Sequence, residues 1–321
     1  MLKEADFLRI ENLTMHYWTL RGYVKAVENA NLSLAKGDAL GVVGESGCGK
    51  TSVMLTILRL LPRNAEIKNG TIHLDGNDLL KMSLSEFRKK IRWRRISTVF
   101  QGSMNALHPM MKIGDQLVEP LLLHEKISRS EARKRAKKLL ELTGMEASRS
   151  ERYPHELSGG MKQRAVIAMS LTCNPDLVIA DEPTTALDVI IAAQVMELLR
   201  ELQNKLGITL IIVTHDLSIV AEVCNKIAIM YAGNIVETGD TASIFGDPAH
   251  PYSKGLINAF PSILGPKRRL QAIEGSPPDL LEPPLGCRFH PRCPNAMEIC
   301  QKKGPPPLDL GKNHVVACHL Y

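Results

Sequence analysis

The stretch from Gly44 to Ser52, GESGCGKTS, has residue types and spacing suited to phosphate chemistry. Gly44, Gly49, Lys50 and Thr51 take the fixed positions of G-x-x-x-x-G-K-[ST], with Glu45, Ser46, Gly47, Cys48 and Ser52 completing the loop. Such a loop holds a polyphosphate by inward-pointing backbone N–H groups and by the positive end of the helix that follows. Lys50 would supply a point charge to the β and γ phosphates, and the Thr51 hydroxyl would ligate Mg²⁺. A second cluster is Leu177 to Glu182, LVIADE, an apolar strand ending in two carboxylates. Asp181 is suited to the Mg²⁺ shell, and Glu182 at the strand's exposed end to polarising a water. Ser158-Gly159-Gly160, followed by Met161, is a small-residue turn ahead of a helix and so a second anion cradle. His215 follows an apolar strand, where an α/β sheet faces its ligand crevice. Alone, each has a bland reading as a turn, a cap or a surface histidine; together in one chain they favour the chemical one.

The phosphate loop needs a strand before it and a helix after it. Leu40 to Val43 is a short apolar run, and Thr51 to Leu61 is apolar at helical spacing, stopping at Pro62. Upstream, Phe7–Met15 and Ala30–Leu34 read as half-polar strands, with HYWTLRGYVKAV between them. Tyr17, Trp18 and Tyr23 in that stretch are candidates to stack on a purine ring, or simply to pack. Ile72–Leu74 reads as a strand before an Asp75-Gly76 turn. Arg88 to Arg95, RKKIRWRR, is a nucleic-acid candidate or a solvated helix face. Residues 101–168 are mostly helical, including a helix over Ile127–Gly144 capped by Ser128 or Ser130. Leu177–Ala180 and Ile208–Val213 are continuous apolar runs, as expected of parallel strands covered on both faces. Lys226–Tyr231 and Ile235–Thr238 flank a hairpin turn at Ala232-Gly233-Asn234. Beyond Phe245 prolines crowd the chain, Pro261 and Pro266 among them, leaving little room for long helices.

Composition sets the outer bounds. The 321 residues are 44% hydrophobic and 23% charged, enough for a sizeable core. No apolar run approaches the roughly 20 residues of a membrane span. MLKEADFLRIENL, acidic at its start, lacks the pattern of a signal peptide, which predicts a cytosolic chain. A net charge of +6 is modest for this length and selects no partner.

The phosphate loop, LSGGM, LVIADE, TALD and THD, in this order, resemble the nucleotide-binding domain of an ABC transporter over residues 7–245. The resemblance implies an α/β P-loop NTPase core with an antiparallel β subdomain, a helical subdomain over about 101–168, and ATP as nucleotide. It implies that Tyr17 stacks on adenine and that Gln101 senses Mg²⁺ and water. It further implies that Glu182 is the general base, that His215 contacts the γ-phosphate, and that Ala186-Leu187-Asp188 crosses between subunits. Ser158, Gly159, Gly160 and Met161 would cap ATP held by a partner chain; the family usually has Gln where this chain has Met161. The segment Gln101 to Pro109 would dock a membrane subunit. The implied partners are a second ATPase, identical or homologous, two transmembrane permease subunits and an external solute-binding protein. The implied location is the cytoplasmic face of a membrane. A nucleic-acid-handling ATPase of this class would carry a long coiled-coil insertion or two such units per chain, and neither is present. A non-catalytic regulatory subunit is disfavoured by the presence of Lys50, Asp181, Glu182 and His215.

The tail, residues 246–321, resembles the C-terminal extension of dipeptide/oligopeptide permease ATPases, whose relatives also carry nickel and other small solutes. Cys287, Cys293, Cys300 and Cys318 crowd into it with spacings too wide for a zinc knuckle. An all-thiolate [4Fe–4S] cluster tolerates such loops and is the expectation, with zinc, or free or disulfide-paired cysteines, as alternatives. His290, His314 and His319 could replace a ligand. Its expected role is a structural staple for a module with little core.

Overall fold

The computed structural model describes residues 6–259, 273–311 and 313–321. The start of the chain at 1–5, Pro261 and Pro266 lie outside them. The chain divides into two compact units, residues 1–80 with 213–321, and residues 81–212.

The first unit opens with β1 (Leu8–Thr19) and β2 (Gly22–Leu34), paired antiparallel along their length. Alternation buries Leu8, Ile10, Leu13 and Met15 on one side of β1. HYWTLRGYVKAV, expected between two strands, is therefore the hairpin itself, with Tyr17 opposite Val24 and a turn at Thr19–Gly22. The Thr19 hydroxyl closes that turn by donating to the Gly22 carbonyl at 2.8 Å. β3 (Ala39–Val43), five buried residues, runs into the phosphate loop and α1 (Lys50–Ile57). β4 (Ala65–Leu74) and β5 (Asn77–Asp78) complete an antiparallel sheet in the order β2-β1-β4-β5. β4 starts well before Ile72 because β1 offers it a full-length partner.

The second unit runs through α2 (Leu84–Lys90), β6 (Ile96–Val99), α3 (Ile113–His124), α4 (Arg129–Leu142), α5 (Gly159–Ser170), β7 (Leu177–Asp181) and α6 (Val189–Leu206). β6 and β7 are parallel, Ile96 opposite Leu177, and the five residues of β7 are buried, as a doubly covered strand should be. Ser128 caps α4 by accepting from Glu131 N–H at 3.2 Å. The basic stretch is largely spent on packing. Arg95 pairs with Asp176, Arg94 donates to the His124 carbonyl, the Trp93 ring stacks on His124 and the Arg92 guanidinium lies over Phe87. Arg88, Lys89 and Lys90 on α2 are its exposed remainder.

β8 (Thr209–Thr214), wholly buried, carries the chain back to the first unit and to α7 (Leu217–Val223). There β9 (Lys226–Tyr231) lies parallel to β3, and β10 (Asn234–Asp240) is its antiparallel hairpin partner. α8 (Thr241–Gly246) and α9 (Pro251–Asn258) follow. After residue 272 the described chain holds a 3-10 turn (His290–Arg292), α10 (Glu298–Lys302) and two two-residue strands, β11 (Leu308–Asp309) and β12 (Val315–Val316). β12 pairs with β10 and ties the tail to the sheet of the first unit. Among the described residues no helix is long and apolar enough to cross a membrane.

A polar cluster fixes the entry to α9. The buried Glu237 carboxylate accepts from Ala249 N–H at 2.7 Å, from His250 N–H at 2.9 Å and from His314 Nε2 at 2.6 Å. The His250 ring caps α9 by accepting from Tyr252 N–H at Nδ1, 3.0 Å away. Burial pushes the His250 pKa from 6.5 down to about 4, because an imidazolium there would lose its hydration. The neutral ring is the form that caps. The unfolded chain therefore takes up the proton first, and stability from this site is lost as pH falls from 6.5 toward 4. His250→Asn keeps an acceptor at the cap and removes the titration. Denaturant unfolding should show wild type losing about 3 kcal/mol more than the variant between pH 7 and pH 4; parallel losses would contradict the burial argument.

Candidate functional site

The loop between β3 and α1 is shaped by what stands behind it. Gly44 has φ 155°, and a Cβ there would lie 2.0 Å from the Met230 carbonyl of β9. Gly49 has φ 105°, and its Cβ would meet the Ala26 carbonyl of β2 at 2.2 Å. Both positions exclude every side chain, by clash and by backbone conformation. No side chain caps α1 and its first turn holds no acidic residue, a helix start whose dipole favours an anion. The buried Lys50 ammonium bridges the loop, donating to the Gly44 carbonyl at 2.7 Å and the Glu45 carbonyl at 3.0 Å. Ser46, Gly47 and Thr51 are exposed. Cys48 is buried behind the loop, where desolvation raises its pKa and keeps the thiol neutral. Tyr17 is joined to the same helix, its hydroxyl 3.1 Å from Ser52 Oγ. Of the other aromatics, Trp18 is exposed and Tyr23 lies under the Lys68 ammonium. His215 is exposed just after β8, followed by Asp216, which caps α7.

The second unit carries the carboxylates. Asp181 ends β7 with 3% exposure. Glu182 follows with φ 44°, a left-handed backbone unusual outside glycine and asparagine. Its Oε2 accepts from Gln101 Nε2 at 2.8 Å and from the Thr185 hydroxyl at 2.9 Å. Thus Gln101 and Glu182, 81 residues apart, are brought together, while Thr185 was not singled out from the sequence. The turn is braced from behind by Gln163 of α5, which donates to the Pro183 carbonyl at 2.7 Å. Ser158 caps α5 by accepting from Met161 N–H at 3.3 Å; the bond uses backbone, so methionine in place of the usual glutamine leaves it intact. Gly159 and Gly160 open α5, and a Cβ on Gly160 would clash with Ile191 Cγ2 at 2.7 Å. Asp188 caps α6 by accepting from Ile191 N–H at 2.9 Å.

The metal expectation in the tail is overturned. Among the described residues no three of His, Cys, Asp or Glu are grouped to hold an ion. Cys287, Cys293, Cys300 and Cys318 are free thiols. Burial pushes the Cys287 thiol up to about 11 and raises Cys293 and Cys318 as well. The histidines are engaged elsewhere: His290 Nδ1 with the Cys287 carbonyl at 2.9 Å, His319 with the Lys303 carbonyl at 2.8 Å, His314 with Glu237. Neither an iron–sulfur cluster nor zinc fits this arrangement. The staple is aromatic instead: Phe289 sits against Tyr231 and Tyr252, with ring centroids 5.1 and 5.4 Å away.

Residues 27–185 match the ABC transporter family, and residues 236–300 match the C-terminal region of oligopeptide/dipeptide transporters. The chain is 45% identical to the dipeptide transport ATP-binding protein DppD of Bacillus subtilis, over 98% of this chain and 94% of that one. It is 44% identical to the oligopeptide transport ATP-binding protein OppD of Escherichia coli, over 96% and 91%. Among solved structures it resembles the ATP-binding cassette MJ0796, described as a dimer in a post-hydrolysis state bound to ADP and Pi. There the TM-score is 0.65 at 29% identity, covering 73% of this chain and 98% of that one.

Gly49→Ala tests the loop geometry. It should cost about 2 kcal/mol or more in denaturant unfolding, since both strain and a backbone clash must be relieved. A loss under about 0.5 kcal/mol would show that β2 does not wall the loop.

Proposed function

The chain belongs to the ABC transporter family, in its dipeptide and oligopeptide branch, and from that premise we propose that it is the ATP-hydrolysing subunit that powers peptide import across a membrane. The observation that carries this reading is near end-to-end identity of about 45% with peptide-transport ATP-binding proteins. It is joined here to an open glycine loop and a braced strand-end glutamate. Relatives for nickel or other solutes are not favoured by these matches.

In this reading the phosphate loop and Lys50 hold the triphosphate, and Tyr17 stacks on the base. The second unit offers a buried Asp181 carboxylate and the Gln101 amide, and the first the Thr51 hydroxyl, each a hard oxygen ligand of the kind Mg²⁺ takes. When bound, that ion would neutralise charge on the transferred phosphoryl group. Glu182 would take the proton of the attacking water, oriented by Gln101 and Thr185, which also hold its carboxylate in one rotamer. Its left-handed backbone, braced through Pro183 and Gln163, links the base to α5, so the carboxylate and the serine-glycine turn move as one piece. That turn, with its capped helix N-terminus, would complete the pocket of a partner chain, with Asp188 crossing beside it and His215 touching the γ-phosphate. Closure of the pair is then a population shift driven by ATP's preference for the closed state.

Peptide import requires a permease and a second ATPase; we propose two transmembrane subunits, an external solute-binding protein and attachment at the cytoplasmic face. Glu182→Gln tests the assignment. The variant should bind ATP as wild type does, lose turnover by about 100-fold or more, and sediment as an ATP-dependent dimer. Undiminished hydrolysis would remove Glu182 as base.

A further inference from the structure

The phosphate loop contains an acidic residue where an anion is to be received. Glu45 follows Gly44 directly, and a carboxylate at the mouth of a triphosphate pocket opposes its ligand. The structure places a specific counter-charge on it from 247 residues away. Arg292, its side chain 6% exposed, forks onto the carboxylate: Nη1 donates to Oε2 at 2.7 Å and Nη2 to Oε1 at 3.1 Å. A planar guanidinium on a planar carboxylate makes the strongest ordinary ion pair and fixes orientation as well as charge.

Arg292 is itself locked. Its Nε donates to the Glu274 carbonyl at 2.8 Å, Nη2 to the Ile273 and Gly275 carbonyls at 3.3 Å, and Nη1 to the Tyr231 hydroxyl at 3.3 Å. The loop is gripped at Glu45 a second time, where the backbone N–H donates to the Tyr252 hydroxyl at 3.1 Å. Tyr252 and Tyr231 pack on Phe289, three residues before Arg292. The first half of the loop is thus held by the C-terminal extension, by charge at the side chain and by hydrogen bonding at the backbone.

We propose that Arg292 is a positioning residue for ATP: it neutralises Glu45 and pins the front of the phosphate loop, so that the C-terminal extension sets nucleotide affinity. This rests on the ATPase reading above. It gives the extension a task in the nucleotide cycle, since anything that loosens residues 273–293 releases an uncompensated carboxylate into the pocket.

The test is a double-mutant cycle on the full chain, read by titration with a fluorescent ATP analogue and by steady-state hydrolysis. Arg292→Met should weaken binding by about tenfold and raise KM with little change in kcat, because the reacting groups are untouched. In a Glu45→Gln background the same change should cost less than about twofold, since no carboxylate is left to neutralise. Arg292→Lys, which keeps the charge and loses the fork, should lose about threefold, again only when Glu45 is present. It keeps the cycle measurable if Arg292→Met does not fold. Equal losses in both backgrounds, or none in either, would overturn the proposal. Wild-type protein that does not bind the analogue would instead sink the ATPase reading.

Discussion

Backbone amides can grip a triphosphate only where nothing larger than hydrogen stands in the way, and the β3–α1 loop meets that constraint by pressing glycines against its own neighbours. Gly44 backs onto the Met230 carbonyl of β9, and Gly49 onto the Ala26 carbonyl of β2. Neither contact tolerates a Cβ, so two strands distant in sequence mould the loop from behind and leave its N–H groups facing outward. The long β1–β2 hairpin and the β3–β9 pairing matter to function chiefly because they hold those two carbonyls still.

The second unit solves a related problem with other means. Glu182 occupies a left-handed backbone that costs energy for a non-glycine residue, and such a conformation persists only where its surroundings over-determine it. Here Thr185 and Gln101 hold the carboxylate while Gln163 anchors the following proline carbonyl. Gln163 and the Ser158 cap belong to one helix, so Glu182 and the serine-glycine turn are joined without any flexible linker.

Much of this was legible in the residues. Local motifs announced the loop, the LVIADE strand and the serine cap, because each is a short run whose chemistry requires adjacent residues. A serine cap for α4, left between Ser128 and Ser130 until the fold showed Ser128, and the β9–β10 hairpin followed from equally local signals. What sequence concealed is long-range. HYWTLRGYVKAV looked like a break because its alternation slips at bulges, where register shifts between Ile10 and Tyr17. Thr185 opens TALD but had no role read for it, Tyr252 and Arg292 sit in no short motif, and the partners of all three are set by the fold. The tail misled for a chemical reason: clustered cysteines suggest a ligand set, but here Cys300 is buried and Cys287, Cys293 and Cys318 half-buried as free thiols, while Phe289, Arg292 and the β10–β12 pairing do the stapling.

An extension secured this way becomes part of the nucleotide loop rather than an appendage, and the whole account depends on that loop recognising phosphate. The most direct measurement is calorimetric titration of the full chain with ATP and, separately, with AMP in the presence of magnesium. Backbone capture of the β and γ phosphates predicts that ATP binds about 100-fold or more tightly than AMP. Equal affinity for the two would mean that the base alone is read, and would contradict the account.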